Sequence, residues 1–208
     1  MLQRMAAGRV TGKSLAFGAP HLLKAIQLLE ETKYVSRGMM AEELHLGEGS
    51  TRTLLGRLGE QNIADSIRSG AYLTEEGGRF ARKIQDVMPG ECGLPHSPLP
   101  GGESSHAVML RGCAGSVRSG VEQRDYAVMY GAGGAMTLVY KGGRYTFPDG
   151  RDAAFPGGAI QGALSGLGPI DGDVLIIAAA GDSFTSEMAA KNSGLLTVQN
   201  GTPRMRRR

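Results

Sequence analysis

The chain has 208 residues, 41% of them apolar and 21% charged, with a formal net charge of +3. That length and apolar content suit one large or two small globular cores. No apolar run approaches the roughly 18 residues of a membrane-spanning helix. The two cysteines, Cys92 and Cys113, follow no metal or redox spacing, so reduced thiols in a cytoplasmic protein are expected.

Residues 1–17 are mixed and glycine-punctuated, the pattern of a frayed end, an added strand or an arm. Arg4, Arg9 and Lys13 lie there without a continuous apolar core, so no signal peptide is expected. Pro20 fits the first turn of a helix, and Leu22, Leu23, Ile26 and Leu29 share one face of it. Val35-Ser36-Arg37 reads as an extended link and Met40–Leu44 as a short helix. Gly47-Glu48-Gly49 reads as a tight turn, because glycine reaches positive φ without steric cost.

In the next helix, Thr51, Leu54, Leu55 and Leu58 form a buried stripe. Gly49, Ser50, Arg52, Thr53, Gly56 and Arg57 occupy the other side. Such a small, hydroxylated and cationic face suits a major groove, where arginine bridges guanine O6 and N7 and small residues let the backbone approach. The alternative is an ordinary solvated face, since Glu48, Glu60 and Asp65 offset Arg52, Arg57 and Arg68. Asn62–Arg68, Ser69-Gly70 and Ala71–Leu73 then read as strand, turn and strand. Thr74, followed by Glu75 and Glu76, opens a helix whose apolar seam is Phe80, Ile84 and Val87.

This order of elements, with Leu73-Thr74-Glu75-Glu76-Gly77 leaving the hairpin, resembles the winged helix-turn-helix domains of bacterial and archaeal transcriptional regulators. The resemblance covers about Pro20 to Ile84. It implies that Ser50, Arg52, Thr53 and Arg57 face the major groove of double-stranded DNA. It also implies that Arg68, Ser69 and Gly70 reach the backbone or minor groove beside it. Glu48 and Glu60 depart from the extra basic residues many such helices carry, which argues against tight binding by a lone copy. A homodimer is expected, because a single winged helix contacts only a few base pairs.

Residues 89–103 hold four prolines and four glycines, the chemistry of a linker. Beyond it, Ala107–Leu110 reads as a strand, Val121–Tyr130 as a helix, and Ala135–Tyr140 with Arg144–Phe147 as a hairpin turned by Gly142-Gly143. Ile160–Leu167 reads as a short helix. Asp173–Ala180, apolar on both faces, reads as a central strand, with a helix from Thr185 to about Asn192. The expected fold class is α+β, with a winged helix-turn-helix over 1–88, a linker over 89–103, a small α/β domain over 104–203 and a basic tail over 204–208. That tail carries four arginines and no acid, giving it nonspecific affinity for phosphate. Arg124–Ala127, Gly134–Lys141 and Asp173–Ile177 also resemble the C-terminal half of an uncharacterised archaeal family that appends an α/β module to a winged helix. That resemblance implies the two-domain layout and nothing catalytic.

Two loops, at Gly115-Ser116 and at Gly181-Asp182-Ser183, fall where strands lead into helices. Such junctions expose backbone amides and attract anions, making these five residues the candidate ligand site, with tight, internally satisfied turns as the alternative. No catalytic motif, metal set or cofactor fingerprint is expected. Cys113, before a helix start, is expected to be a small buried thiol. These features point to a cytoplasmic DNA-binding regulator whose C-terminal domain senses a small-molecule effector or holds a dimer. One alternative is an enzyme whose winged domain is a docking module, marked by polar groups converging near Asp182 and Ser116. Another is a structural partner-binding protein, marked by a large exposed apolar patch.

Overall fold

In the computed structural model, which describes residues 1–7, 9–10, 13–155 and 158–201, the chain divides into two units, Met1–Ile84 and Gln85–Arg208. The basic tail expected at 204–208 lies outside the described residues.

The first unit begins with α1 (Leu2–Ala6). Leu2 and Met5, three residues apart, are both buried, and α1 packs on α2 (Ala19–Thr32). The opening residues are therefore a docked helix rather than a frayed end. A minimal antiparallel pair, β1 (Arg9–Val10) and β2 (Lys13–Ser14), separates these helices. Helix α2 carries Pro20 in its first turn and buries Leu22, Leu23, Ile26 and Leu29, as their spacing requires. Its N-terminus is closed by a side chain three residues into the helix, with the Gly18 N–H donating to His21 Nδ1 at 3.2 Å.

Helix α3 (Arg37–Glu43) starts earlier than the link read at 35–37 suggests. Ser36 is its N-cap, accepting the Met39 N–H at 3.2 Å. Next come α4 (Glu48–Glu60), β3 (Ala64–Ile67) and β4 (Gly70–Leu73), the last two paired from Ala64–Leu73 to Ile67–Gly70. Val35 bridges to Ala71 and adds a third short segment to this hairpin. Helix α5 (Glu75–Val87) follows, its first turn capped by the Thr74 hydroxyl, which accepts the Gly77 N–H at 3.0 Å.

The boundary between units falls at Ile84/Gln85, not after residue 88, and residues 89–103 are not simply a linker. β5 (Gly90–Gly93) pairs antiparallel with β6 (Ser104–Leu110) as an edge strand. Its backbone groups enter a ladder, and Glu91 forms an ion pair with Lys191, fully buried beneath it. A proline- and glycine-rich stretch can supply an edge strand because only one side of such a strand must donate to a neighbour.

After β6 come α6 (Val121–Val128), β7 (Gly134–Lys141), β8 (Arg144–Thr146), α7 (Gly158–Ser165), β9 (Val174–Ala180) and α8 (Ser183–Gly201). The five strands form one sheet in the order β5-β6-β9-β7-β8, every pair antiparallel. All seven residues of β9 are buried, so the apolar run is the central strand expected of it. It is buried on both faces because α6 and α8 cover one face and α7 the other. Ala107, Met109, Leu175 and Ile177 face Ile160 and Leu164 of α7, while Val108 and Leu110 meet α8 where Gly194 leaves room. An antiparallel strand read as apolar on both faces is thus explained by two helical layers. No helix among the described residues is long and apolar enough to cross a membrane.

Candidate nucleic-acid interface

Between α3 and α4 the chain turns through a Schellman ending. The Leu46 N–H reaches the Ala41 carbonyl at 2.9 Å and the His45 N–H reaches Glu42 at 3.1 Å, with His45 at φ 50°. The left-handed residue is therefore His45 and not a glycine. Gly47 is the extended N-cap of α4 at φ −68°, and Glu48 and Gly49 are already helical. The expected glycine turn is corrected to this extent: glycine supplies the entry of the second helix, not the reversal.

Helix α4 buries Thr51, Leu54, Leu55 and Leu58, the four residues expected. Each buried leucine contributes roughly 2 kcal/mol at most, so this stripe fixes the helix's rotation. At 3.6 residues per turn the line directly opposite is Gly49, Thr53, Gly56 and Glu60. Its centre is low, because two of its residues are glycine and the Thr53 hydroxyl donates to the Gly49 carbonyl at 3.0 Å.

Arg52 flanks this line on one side, exposed and in no ion pair among the described residues. Ser50 and Arg57, both half-buried, flank it on the other. Arg57 lines a cleft of about 280 Å³ with Met1, Arg4 and Met5 of the N-terminal segment and Glu60 and Gln61. No local pattern along the chain signals that neighbourhood. Glu48 and Glu60 mark the two ends of the exposed face, so its cationic character rests on the flanks.

In the hairpin, Arg68 and Ser69 are exposed at the tip, beside Ile67, which is 54% exposed. Gly70 is not a contact residue. It is buried, and a Cβ there would lie 2.4 Å from the Val35 carbonyl oxygen, so glycine is needed for the strand to pass Val35. Two aromatics were missed. Tyr34 and Tyr72 stack with centroids 6.2 Å apart, and the Tyr34 hydroxyl lies 3.0 Å from Ser69 Oγ. These contacts stiffen the hairpin, and no sequence signal joins residues so far apart along the chain.

Electrostatics inside this unit centre on His21. Burial, with His45 and Lys24 nearby, lowers its pKa to about 4, so it is neutral and able to accept the capping bond.

The candidate ligand site of the second unit is not one site. β6 and β9 run antiparallel, with Leu110 opposite Val174 and Ser104 opposite Ala180. Gly115 and Ser116, beyond Leu110, and Gly181, Asp182 and Ser183, beyond Ala180, therefore lie at opposite ends of the sheet. The seven-residue strands put them roughly 20 Å apart or more.

The Asp182 carboxylate also fills the anion position at the start of α8. It accepts the Thr185 N–H at 2.8 Å and the Thr185 hydroxyl at 2.7 Å. At the other end, the Ser116 N–H closes a tight turn onto the Cys113 carbonyl at 2.9 Å. Burial, then the Asp173 charge, pushes the Cys113 thiol up, away from thiolate chemistry. Among the described residues no group of His, Cys, Asp and Glu is placed to hold a metal ion.

Comparison with known proteins follows this division. Residues 22–79 match the family model "PH0730-like, N-terminal domain", and residues 101–198 match "Domain of unknown function (DUF4443)". A solved structure, the hypothetical protein PH0730 from Pyrococcus horikoshii OT3, is 26% identical with a TM-score of 0.69. The similarity covers 88% of this chain and 94% of that one. The Mycobacterium tuberculosis MarR family protein Rv2887 is 17% identical over 40% of this chain and 62% of its own. Its TM-score of 0.30 is too low to carry an argument. No curated protein matches.

Proposed function

We propose that the chain is a DNA-binding transcriptional regulator of the cytoplasm. It acts on double-stranded DNA as a homodimer, and its second unit senses a small molecule or holds the dimer. The observation that carries this reading is the outer face of α4. Its centre is recessed at Gly49, Thr53 and Gly56, it is flanked by the exposed Arg52, which makes no ion pair among the described residues, and a stiffened hairpin follows with Arg68 at its tip. A recessed centre lets a helix backbone approach base edges, and an unpaired arginine can give both hydrogen bonds to one guanine. Pairing two copies is needed because one such helix spans only a few base pairs. The enzyme reading loses the observation that would have favoured it, because Ser116 and Asp182 do not converge.

The test is selection of bound fragments from random duplex DNA at fixed salt, followed by titration of variants on the selected sequence. Arg52→Ala should weaken that complex by about 1–3 kcal/mol and relax the preference at one base position. Arg68→Ala should weaken all sequences alike and reduce the salt slope by about one. Selection that enriches no sequence, or Arg52→Ala binding as tightly as the parent, would sink the proposal.

A further inference from the structure

In the second unit, β7 is left half open. β9 covers one of its edges from Gly134 to Val139, whereas among the described residues β8 pairs with the other only at Val139, Tyr140 and Lys141. The Tyr140 N–H donates to the Asp173 carbonyl at 2.9 Å, on the β9 side. Backbone polar groups alternate between the two edges of an antiparallel strand, so those of Ala135 and Thr137 point to the open one. A strand edge of this kind offers donors and acceptors to whatever lies beside it.

What lies beside it is a notch of about 260 Å³, lined by Leu99, Met136, Phe147 and Pro148 and by Ser119, Gly120 and Arg124 at the start of α6. Thr137 also lines the notch, is only 5% exposed, and its hydroxyl has no hydrogen-bond partner among the described residues. Leaving a buried hydroxyl unpaired is costly, a cost that a ligand's polar group reaching the floor would offset. A Cβ at residue 120 would lie 3.1 Å from Thr137 Cβ and 3.4 Å from its hydroxyl oxygen, so glycine there leaves the floor uncrowded.

At the mouth, the start of α6 carries the partial positive charge of a helix N-terminus, its Val121 N–H already meeting Ser119 Oγ at 3.4 Å, and Arg124 supplies a guanidinium. Its present partner is the exposed Asp125 carboxylate at 3.2 Å. Exposed pairs of this kind contribute little and exchange readily.

We propose that this notch is the binding site for a small amphipathic carboxylate of amino-acid size. The carboxylate meets Arg124 and the amides of α6, the apolar body lies against Leu99, Met136, Phe147 and Pro148, and a polar group meets the edge of β7 and Thr137. The size follows from the volume, which falls just below the roughly 300–1,000 Å³ typical of drug-sized ligands. The charge follows from the cation and the helix start, and the body from the four apolar walls. This deepens the sensing half of the function proposed above, and binding itself does not require that DNA be the output.

The experiment is therefore done on the full chain without DNA, by NMR titration with 3-phenylpropanoate and with its uncharged counterpart 3-phenylpropan-1-ol. The carboxylate should bind at millimolar concentration or better, and the alcohol at least tenfold more weakly. Arg124→Gln should reduce carboxylate binding at least tenfold. Thr137→Val should reduce it several-fold while leaving the melting temperature equal or higher, because the lost hydroxyl made no bond to the described residues. Equal affinity for acid and alcohol, or binding unmoved by both variants, would overturn the proposal, as would no binding of either probe at millimolar concentration. A DNA titration with and without 3-phenylpropanoate then tests the regulator reading separately.

Discussion

In Met1–Ile84 the left-handed backbone positions described are held by Lys33, His45 and Asn62, each just past a helix. In Gln85–Arg208 every described left-handed residue is glycine. In the first unit hydrogen bonds hold these ordinary residues at the helix ends, and α6 of the second unit closes the same way at Gly131, whose N–H reaches Val128 at 3.0 Å while the Ala132 N–H reaches Ala127 at 3.4 Å. Past α4 the Ile63 N–H reaches the Leu58 carbonyl at 2.9 Å and the Asn62 N–H reaches Gly59 at 2.8 Å, repeating the pattern at His45. In the second unit Gly101, Gly120 and Gly131 are closely surrounded, whereas nothing lies within 4 Å of a Cβ placed on Gly112, Gly142, Gly143, Gly150, Gly168 or Gly172. The units also differ in where they keep charge. The first leaves Arg52 and Arg68 on its surface, while the second buries Asp173 and Lys191 inside its fold.

Removing a buried charge should therefore damage only the second unit, and this is the largest effect expected. Asp173, 1% exposed, accepts from Arg111 Nη1 at 2.5 Å, the Gly112 N–H at 2.9 Å and the Ile170 N–H at 3.0 Å. It ties the loop after β6 to the start of β9. Asp173→Ala should cost about 3–5 kcal/mol, read as lost amide protection in β9 and α8, with α2 and α4 unchanged. Equal losses in both units would erase the contrast.

Acid should separate the units next. The His21 pKa is lowered to about 4 from 6.5, so the unfolded chain takes up this proton first as pH falls. Its contribution to the first unit is complete above pH 6.5 and is lost between 6.5 and about 4. For Glu91 burial alone would raise the pKa, but His106 and Lys191 outweigh it and hold the carboxyl at about 2. Its contribution to the second unit is complete above about pH 4.5 and is lost as pH falls from there towards 2. At pH 5, exchange should accelerate in α2 but not in β5 or β6. His21→Gln should remove that early step, and an early step that survives the substitution would assign it elsewhere.

The elements most legible in the sequence were those whose burial is periodic or continuous. The stripe Thr51, Leu54, Leu55 and Leu58 fixed the rotation of α4, and the run Asp173–Ala180 marked the central strand. Placement across the sheet was not legible. Strand direction decides whether Ser116 and Asp182 share an end, and no local pattern carries direction when two helical layers bury β9 on both faces. β5 was hidden because proline and glycine content speaks to backbone freedom and not to whether a neighbouring strand is present. Gly70 was misplaced for a related reason. A glycine beside a turn fits a contact tip as well as a close passage under Val35, and only the fold distinguishes them.

Helix ends in the first unit were illegible because the rule looks for glycine where Lys33, His45 and Asn62 stand, and this sets up the smallest test. A left-handed backbone costs most side chains roughly 1–2 kcal/mol, and less for asparagine, whose short polar chain visits it readily. Lys33 has φ 64°, and among the described residues its side chain has only an exposed contact to Glu30 at 3.9 Å, which is worth little. Lys33→Gly should therefore stabilise the first unit by about 1 kcal/mol, and Asn62→Gly by less. Gly172→Ala, with φ 92° and open space around the new methyl, should destabilise the second unit by about the same amount as Lys33→Gly gains. If Lys33→Gly instead lowers the protection of α2, the lysine is more than a tolerated stop, and the cost of its backbone is repaid by contacts of its side chain.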